Sequence, residues 1–373
     1  STRNRTLFPY TTLFRSSKKK FLTVFMLLGV IATALLFFPN QPGSWLIAAI
    51  LFIFANIGFA GSLVYYDALL PHVARADEID QVSSRGYMMG YFGGGILLAV
   101  NLVMIMVLPE VFPQLGKGLM TRLSFVTVAL WWFGFTLPLL FKVKEPLRRI
   151  EEGEEDLHPI RASLIRLKKT FLDLKKYRDL SLGLLAFWIY ANGIGTIITM
   201  ATIYGKELNF SDTTLIGTLL MVQILAAPFA MLFGWLAKKI GTKKAIYLSL
   251  VIYSLIAVAG YFLYHEWQFW VLGAAVATVQ GGSQALSRSM IGKMMPKSKS
   301  AEFYGFFSVF EKFASILGPF IFGVVSHLMN ESRLSIASLI LFFGLGLFVL
   351  TKVNLERGVK VASDEEAKLI TVE

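Results

Sequence analysis

Ionisable and hydrogen-bonding side chains set inside otherwise apolar runs are where this chain could do chemistry. Glu311 and Lys312 stand in an apolar segment that opens near residue 302, about ten residues and ~15 Å along a helix rising about 1.5 Å per residue. That is midplane depth in a hydrocarbon core of ~30 Å. An ionisable group costs about 2.5–3.5 kcal/mol there on insertion scales, so each is a candidate for function. Adjacent residues on a helix do not face one another, so the two charges do not simply cancel. Lys312 could meet an anionic group such as a substrate carboxylate, with Glu311 as a cation or proton partner. An interhelical structural pair is the alternative.

Uncharged polar residues form stripes. Trp188, Asn192, Thr196 and Thr199 follow one another at spacings of 4, 4 and 3, on the face that also carries Gly195. Gln280, Gln284, Ser287 and Arg288 make a second stripe, while Asn56 and Asp67, eleven residues apart, make a third. Such a stripe on an apolar helix serves a cavity or helix–helix hydrogen bonds rather than lipid contact. The candidate substrate cavity is therefore Asn56, Trp188, Asn192, Thr196, Gln223, Gln280, Gln284, Glu311 and Lys312. Four further charges, Asp67, Arg85, Arg288 and Glu302, sit at helix ends. They would form a gating latch if their contacts differ between two states; interface charges that only set topology are the alternative.

Other chemistries lose support. The four histidines, His72, His158, His265 and His327, show no metal-ligand spacing, and without cysteine there is no thiolate site. Gly86, Gly90 and Gly94 recur every four residues, which suits close helix approach. No Gly-Lys-Ser/Thr follows them, so they are not a phosphate loop. We expect no metal, no cofactor and no enzymatic activity; hydrolase and ATP-driven pump readings have nothing to stand on.

The elements that must position these residues are membrane helices. Apolar residues make up 55% of the 373 and charged residues only 16%, with mean hydropathy +0.62. A soluble domain would be nearer 45–50% apolar and about 25% charged. Runs at 21–38, 44–70, 84–108, 119–141, 180–204, 213–237, 245–264, 268–290, 302–328 and 334–352 are long enough to cross a bilayer. Each must satisfy its own backbone hydrogen bonds there. The expected fold is thus an all-α membrane protein with ten spans.

Lys and Arg orient it. The connections on one side, with the tail, hold 28 of these bases, and those on the other hold four: Lys117, Arg122, Lys206 and Arg333. This places both ends of the native part in the cytoplasm. It also accounts for the +12 net charge with a bilayer as partner and no nucleic acid. Residues 1–16 begin without Met and read as a translated adapter scar, a short basic tail being the alternative, and are set aside. Residues 17–141 make a first bundle of four spans. A soluble connection, 142–179, holds an acidic patch at Glu151–Asp156 and an amphipathic basic helix at Ile160–Tyr177, suited to an anionic leaflet or to packing under the bundle. A six-span bundle fills 180–352, and 353–373 is a cytoplasmic tail.

The halves repeat. Gly61-Ser62 aligns with Gly282-Ser283, placing Asp67 against Arg288; a slightly shorter offset sets Arg85-Gly86-Tyr87 against Glu302-Phe303-Tyr304. Both copies flank a connection on the same side, so the repeat is parallel, as in major facilitator transporters. Tyr66-Asp67-Ala68-Leu69-Leu70-Pro71, Asp80-Gln81-Val82-Ser83-Ser84-Arg85-Gly86-Tyr87, Gly90-Tyr91-Phe92-Gly93-Gly94-Gly95, Gly281-Gly282-Ser283-Gln284-Ala285-Leu286-Ser287-Arg288-Ser289 and Gly318-Pro319 resemble the vacuole-effluxer-like (autophagy-related amino-acid permease) branch of that superfamily.

The resemblance covers residues 20–350. It implies a twelve-helix secondary transporter of which ten helices are present, the first two missing. It further implies a small-solute permease, amino acids foremost, driven by a coupled ion or by facilitated flow, in the inner membrane of a bacterium. The three helices bearing the polar stripes would line the cavity, and the missing helices would contribute walls, so the fragment itself is not expected to transport. A lipid flippase and a non-transporting membrane scaffold are the rival readings. Two departures stand out. Lys238 occupies the loop motif Gly234–Lys244 where an Asp is usual, and Asn192 replaces an acidic residue beside Gly193, which weakens a proton-coupling role there.

Overall fold

The computed structural model describes residues 18–41, 43–144, 170, 172–329 and 331–371. The adapter-like segment, the acidic patch and most of the expected amphipathic basic helix lie outside these residues. Nearly everything described is helical: α1 Lys18–Leu35, α2 Trp45–Val73, α3 Ile79–Leu102, α4 Lys117–Lys142, α5 Arg178–Glu207, α6 Asp212–Ile240, α7 Thr242–Tyr261, α8 Glu266–Met294, α9 Ser300–Met329, α10 Ser332–Ser338, α11 Ile340–Thr351 and α12 Leu355–Thr371. Beyond α3 the chain widens into one π-helical turn, Val103–Val107, before a short helical turn, Leu108–Val111.

Eight helical segments among the described residues are long and apolar enough to cross a membrane. The ten expected runs all overlap helices, though 21–38, 44–70, 245–264 and 334–352 extend past helix ends, and α1 and α8 are not among the eight. α1 spends its first turn on Lys18, Lys19 and Lys20. In α8 the glutamines, the serines and Arg288 dilute the apolar content. Large side chains such as Trp45, Phe141 and Ile316 stand exposed at 72%, 81% and 68%, a surface that hydrocarbon solvates and water does not. Pro71, Pro138, Pro228 and Pro319 lie inside helices, which membrane helices tolerate.

The chain divides into two compact units. One gathers α1, α2, the chain from Val100 through α4, and Ser300–Tyr304 at the start of α9. Here α1 packs along α2 and against α4. At the crossing of α1 and α2, a side chain on Gly58 would overlap the Gly29 backbone, and one on Gly29 would overlap the Trp132 ring. Near the end of α1, the Lys18 ammonium lies 2.7 Å from His72 Nε2 and donates to Ser300 Oγ at 2.7 Å.

The other unit gathers Ala74–Ala99, α5 to α8 and, from Gly305, the rest of α9 with α10 to α12. Its most extensive pairing is α6 on α8, with α11 on α5 and α7 on α8 next. Glu266, at the start of α8, ties down the first turn of α6. It accepts from Ser211 N and Ser211 Oγ, each at 2.9 Å, and from Thr214 Oγ1. The helix α12 falls in the segment 353–373 expected as a cytoplasmic tail. Val353, Gly358 and Ala362 are buried, a spacing of four to five that puts one stripe of the segment against the bundle. Asp179, 3% exposed, accepts from Arg357 Nε at 2.5 Å, from Arg357 Nη2 at 2.8 Å and from Asn354 N at 2.9 Å. Farther along α12, Lys176 pairs with Glu365 at 2.6 Å, and Glu366 accepts from Ser298 N and Oγ.

Candidate functional site

In the second unit, polar side chains converge around Tyr91. Its hydroxyl donates to Gln284 Oε1 at 2.7 Å and accepts from Gln280 Nε2 at 3.0 Å. One phenol on α3 thus fixes the orientation of two amides on α8. α3 and α8 can come this close because Gly281 leaves no side chain in the way: a Cβ there would meet the Tyr91 ring at 3.1 Å. Glu311, half-buried on α9, lies within electrostatic range of the same hydroxyl. Lys312, the next residue, is also half-buried. Gln223 on α6 faces Gly94 and Gly95 of α3, and with Gln280 it borders a cavity of about 250 Å³.

The α5 stripe is buried more deeply. Asn192 is 1% exposed and Thr196 fully covered. Asn192 Nδ2 donates to Trp188 O at 2.6 Å, and Thr196 Oγ1 donates to Asn192 O at 2.6 Å. These local bonds leave two polar atoms, Asn192 Oδ1 and Trp188 Nε1, buried and without a hydrogen-bond partner among the described residues. Burial of such a group costs about 1–3 kcal/mol. Gly318 of α9 lies directly on this turn: a side chain there would overlap Thr196 Oγ1. Trp188 also meets Phe310, ring centroids 6.2 Å apart. About one turn past Gln284, toward the end of α8, Ser287 shares a hydrogen bond of 2.6 Å with Tyr190.

Gln280, Gln284 and Glu311 thus gather around Tyr91, with Gln223, Trp188, Asn192 and Thr196 on the same unit. Asn56 belongs to the other unit; it stands exposed on α2 and donates to Phe52 O at 2.9 Å. The four end charges have different settings. Arg288 is 4% exposed, gives Nε to Ser83 Oγ at 2.9 Å and Nη2 to Ser83 O at 3.0 Å, and lies 4.7 Å from the Tyr87 ring centroid. Arg85 is exposed. In the first unit, Asp67 is 6% exposed and half-buried Glu302 interacts electrostatically with Tyr65.

Two polar centres went unnoticed in the sequence. Tyr91 is one. The other is Asp80, 7% exposed at the start of α3. It accepts from Ser289 Oγ at 2.6 Å and Thr242 Oγ1 at 2.8 Å, and pairs with Lys293 at 2.5 Å. Lys293 also donates to Thr242 Oγ1 at 2.8 Å. Thr242 belongs to the loop motif in which Lys238 replaces the usual acid, so a carboxylate does reach that motif, from α3. The missing acid was the available signal.

Solved structures share this helical arrangement. The E. coli fucose:proton symporter superposes with TM-score 0.67 at 13% identity, over 91% of this chain and 84% of its own. The proton:xylose symporter gives 0.66 at 15%, over 90% and 80%. The fold is therefore that of the major facilitator superfamily, a class of membrane transporters. Within it, the family model described as "Vacuole effluxer Atg22 like" matches residues 14–363, and the chain belongs to that family. An uncharacterized MFS-type transporter of Bacillus subtilis, YxiO, is 36% identical over 353 residues, 94% of this chain and 81% of its own length. Autophagy-related protein 22 of Saccharomyces cerevisiae is 24% identical over 401 residues, 93% and 74% respectively. The protein is an integral membrane transporter of the major facilitator type.

Proposed function

We propose that the protein is a permease for a small polar or zwitterionic solute, amino acids first among them. It would work by opening a polar site to one side of the bilayer and then the other. The observation that carries this reading is the set of polar groups, buried at Asn192 and Gln280 and half-buried at Tyr91 and Gln284, on the unit that carries Glu311 and Lys312, midway along apolar helices. Polar and charged groups are expensive at that depth and mark solute pathways. Lys312 supplies a cation for a carboxylate, and Glu311 an anion for an ammonium group or a coupled proton. Asn192 and Trp188 supply a free acceptor and a free donor. Asp67, Arg85, Arg288 and Glu302 act as gate charges at the helix ends. The bacterial relative supports a bacterial plasma membrane, and the distribution of Lys and Arg supports cytoplasmic termini.

The test is uptake of radiolabelled amino acids of acidic, basic, polar and apolar side chain into proteoliposomes holding the full-length protein, with and without a proton gradient. Lys312→Ala should cut kcat/KM at least tenfold for any solute carried, and Asp67→Asn should lower kcat with KM little changed. Wild-type rates in both variants remove the site assignment; no uptake of any amino acid removes the solute class.

A further inference from the structure

The cavity bordered by Gln223 and Gln280 has a character that the proposed permeation site does not explain. It lies among the ends of α5, α7 and α10, the first half of α6 and the first half of α8. Ile197, Ala201, Val222 and Val276 are typical of its wall, and no Asp, Glu, Lys, Arg or His appears among the described residues that line it. Gly260 and Gly273 let Ile336 and Thr218 close in on the wall, since a side chain on either glycine would overlap them. A volume of about 250 Å³ exceeds the roughly 150 Å³ that admits benzene in an apolar protein cavity.

One wall group is out of place. Thr218, 4% exposed, packs its Cγ2 methyl where Gly273 lacks a side chain, and its hydroxyl is buried without a hydrogen-bond partner among the described residues. Threonines elsewhere in these helices donate back along the backbone, as Thr196 does to Asn192 O and Thr278 to Ala275 O. A buried hydroxyl that forgoes this bond and borders a cavity is arranged for something inside it. Gln280 offers its amide at the same wall, and Tyr91 holds that amide by its Nε2.

We propose that this cavity is a binding site for a compact, uncharged, mainly apolar group carrying one hydroxyl or amide, which Thr218 and Gln280 or Gln223 engage. The absence of charge in the wall excludes a carboxylate or ammonium from the interior. Two sources share this chemistry: a separate lipophilic molecule, or the side group of a carried solute. The second rests on the permease reading; the first does not.

Fluorine NMR of para-trifluoromethyl benzyl alcohol, titrated into the protein in lipid nanodiscs, tests the site directly. Saturable binding is expected, with roughly tenfold loss of affinity in Thr218→Val, an isosteric change that deletes only the hydroxyl. The matched probe para-trifluoromethyl toluene should not distinguish the two proteins. Ala201→Phe, or Val222→Phe if the first does not fold, should abolish binding of both. A signal that grows linearly with probe, as lipid partitioning gives, overturns the proposal, as does unchanged alcohol affinity in Thr218→Val or in the filled variant. These readouts need no transport, so failure of the permease reading leaves them intact. Where uptake is measurable, a probe that raises KM identifies the solute's side group as the natural occupant. One that lowers kcat alone identifies a separate molecule.

Discussion

Replacing Asp80 by Asn leaves the Lys293 ammonium, 18% exposed, beside a neutral amide. Breaking a buried pair from one side costs about 3–5 kcal/mol, whereas removing both charges costs little. Asp80→Asn should therefore lower the unfolding temperature in detergent markedly, and Asp80→Asn with Lys293→Met should recover most of the loss. Tyr91→Phe is a gentler probe. It deletes one hydroxyl and strands Gln280 Nε2 and Gln284 Oε1, each worth about 1–3 kcal/mol when left unsatisfied. Under the permease reading, KM should rise about tenfold while kcat stays within a factor of about three, a split that a purely structural fault would not give. The polar stripes of α5 and α8 were visible in the sequence because helical periodicity puts Asn192 with Thr196, and Gln280 with Gln284, on one face. Tyr91 and Asp80 were not visible as centres. Their partners lie near 200 residues away in the chain, and no local spacing encodes a contact of that range.

Among the elements, α12 was not read from the sequence as a helix. Asp179, Ser298 and Lys176 hold it by ion pairs and capping bonds, and few of its side chains are buried. An element held this way should respond to pH. Burial raises the Glu365 carboxyl, but the hydrogen bond and charge of Lys176 outweigh it and hold the group below its ordinary value. A carboxyl depressed in the folded state lends stability above its unfolded pKa and loses it as pH falls through the folded one. We expect α12 to loosen as pH falls through and below the ordinary carboxylate range. The check is a single cysteine at Ala362, the native chain having none, whose alkylation should accelerate on acidification and in Arg357→Met already at neutral pH. The spans were far more legible than α12, since long apolar runs leave few options. The polar content of α8 obscures it as a span for the same reason that it makes the helix chemically useful.

For the whole molecule, the imbalance of Lys and Arg makes a topological prediction. A maleimide that cannot cross membranes should label Lys117→Cys in sealed cells and Lys299→Cys only after permeabilisation; the reverse pattern inverts the orientation. Family and superfamily could both be read from the motifs, since they rest on residues rather than on packing. The division into two units could not. The sequence places α3 wholly in the first bundle, whereas contacts assign Ile79–Ala99 to the second unit and the chain from Val100 to the first. The wide turn at Val103–Val107 begins three residues past that change. A π turn holds one residue more than the α geometry on either side of it. Deleting a single amino acid from Val103–Val107 could therefore be absorbed as a conversion to ordinary coil, whereas the same deletion in the regular helix before it would swing every later side chain by about 100°. Among the described residues, that turn just past α3 is where a helix carries spare length, and drift in sequence length is most easily accommodated there.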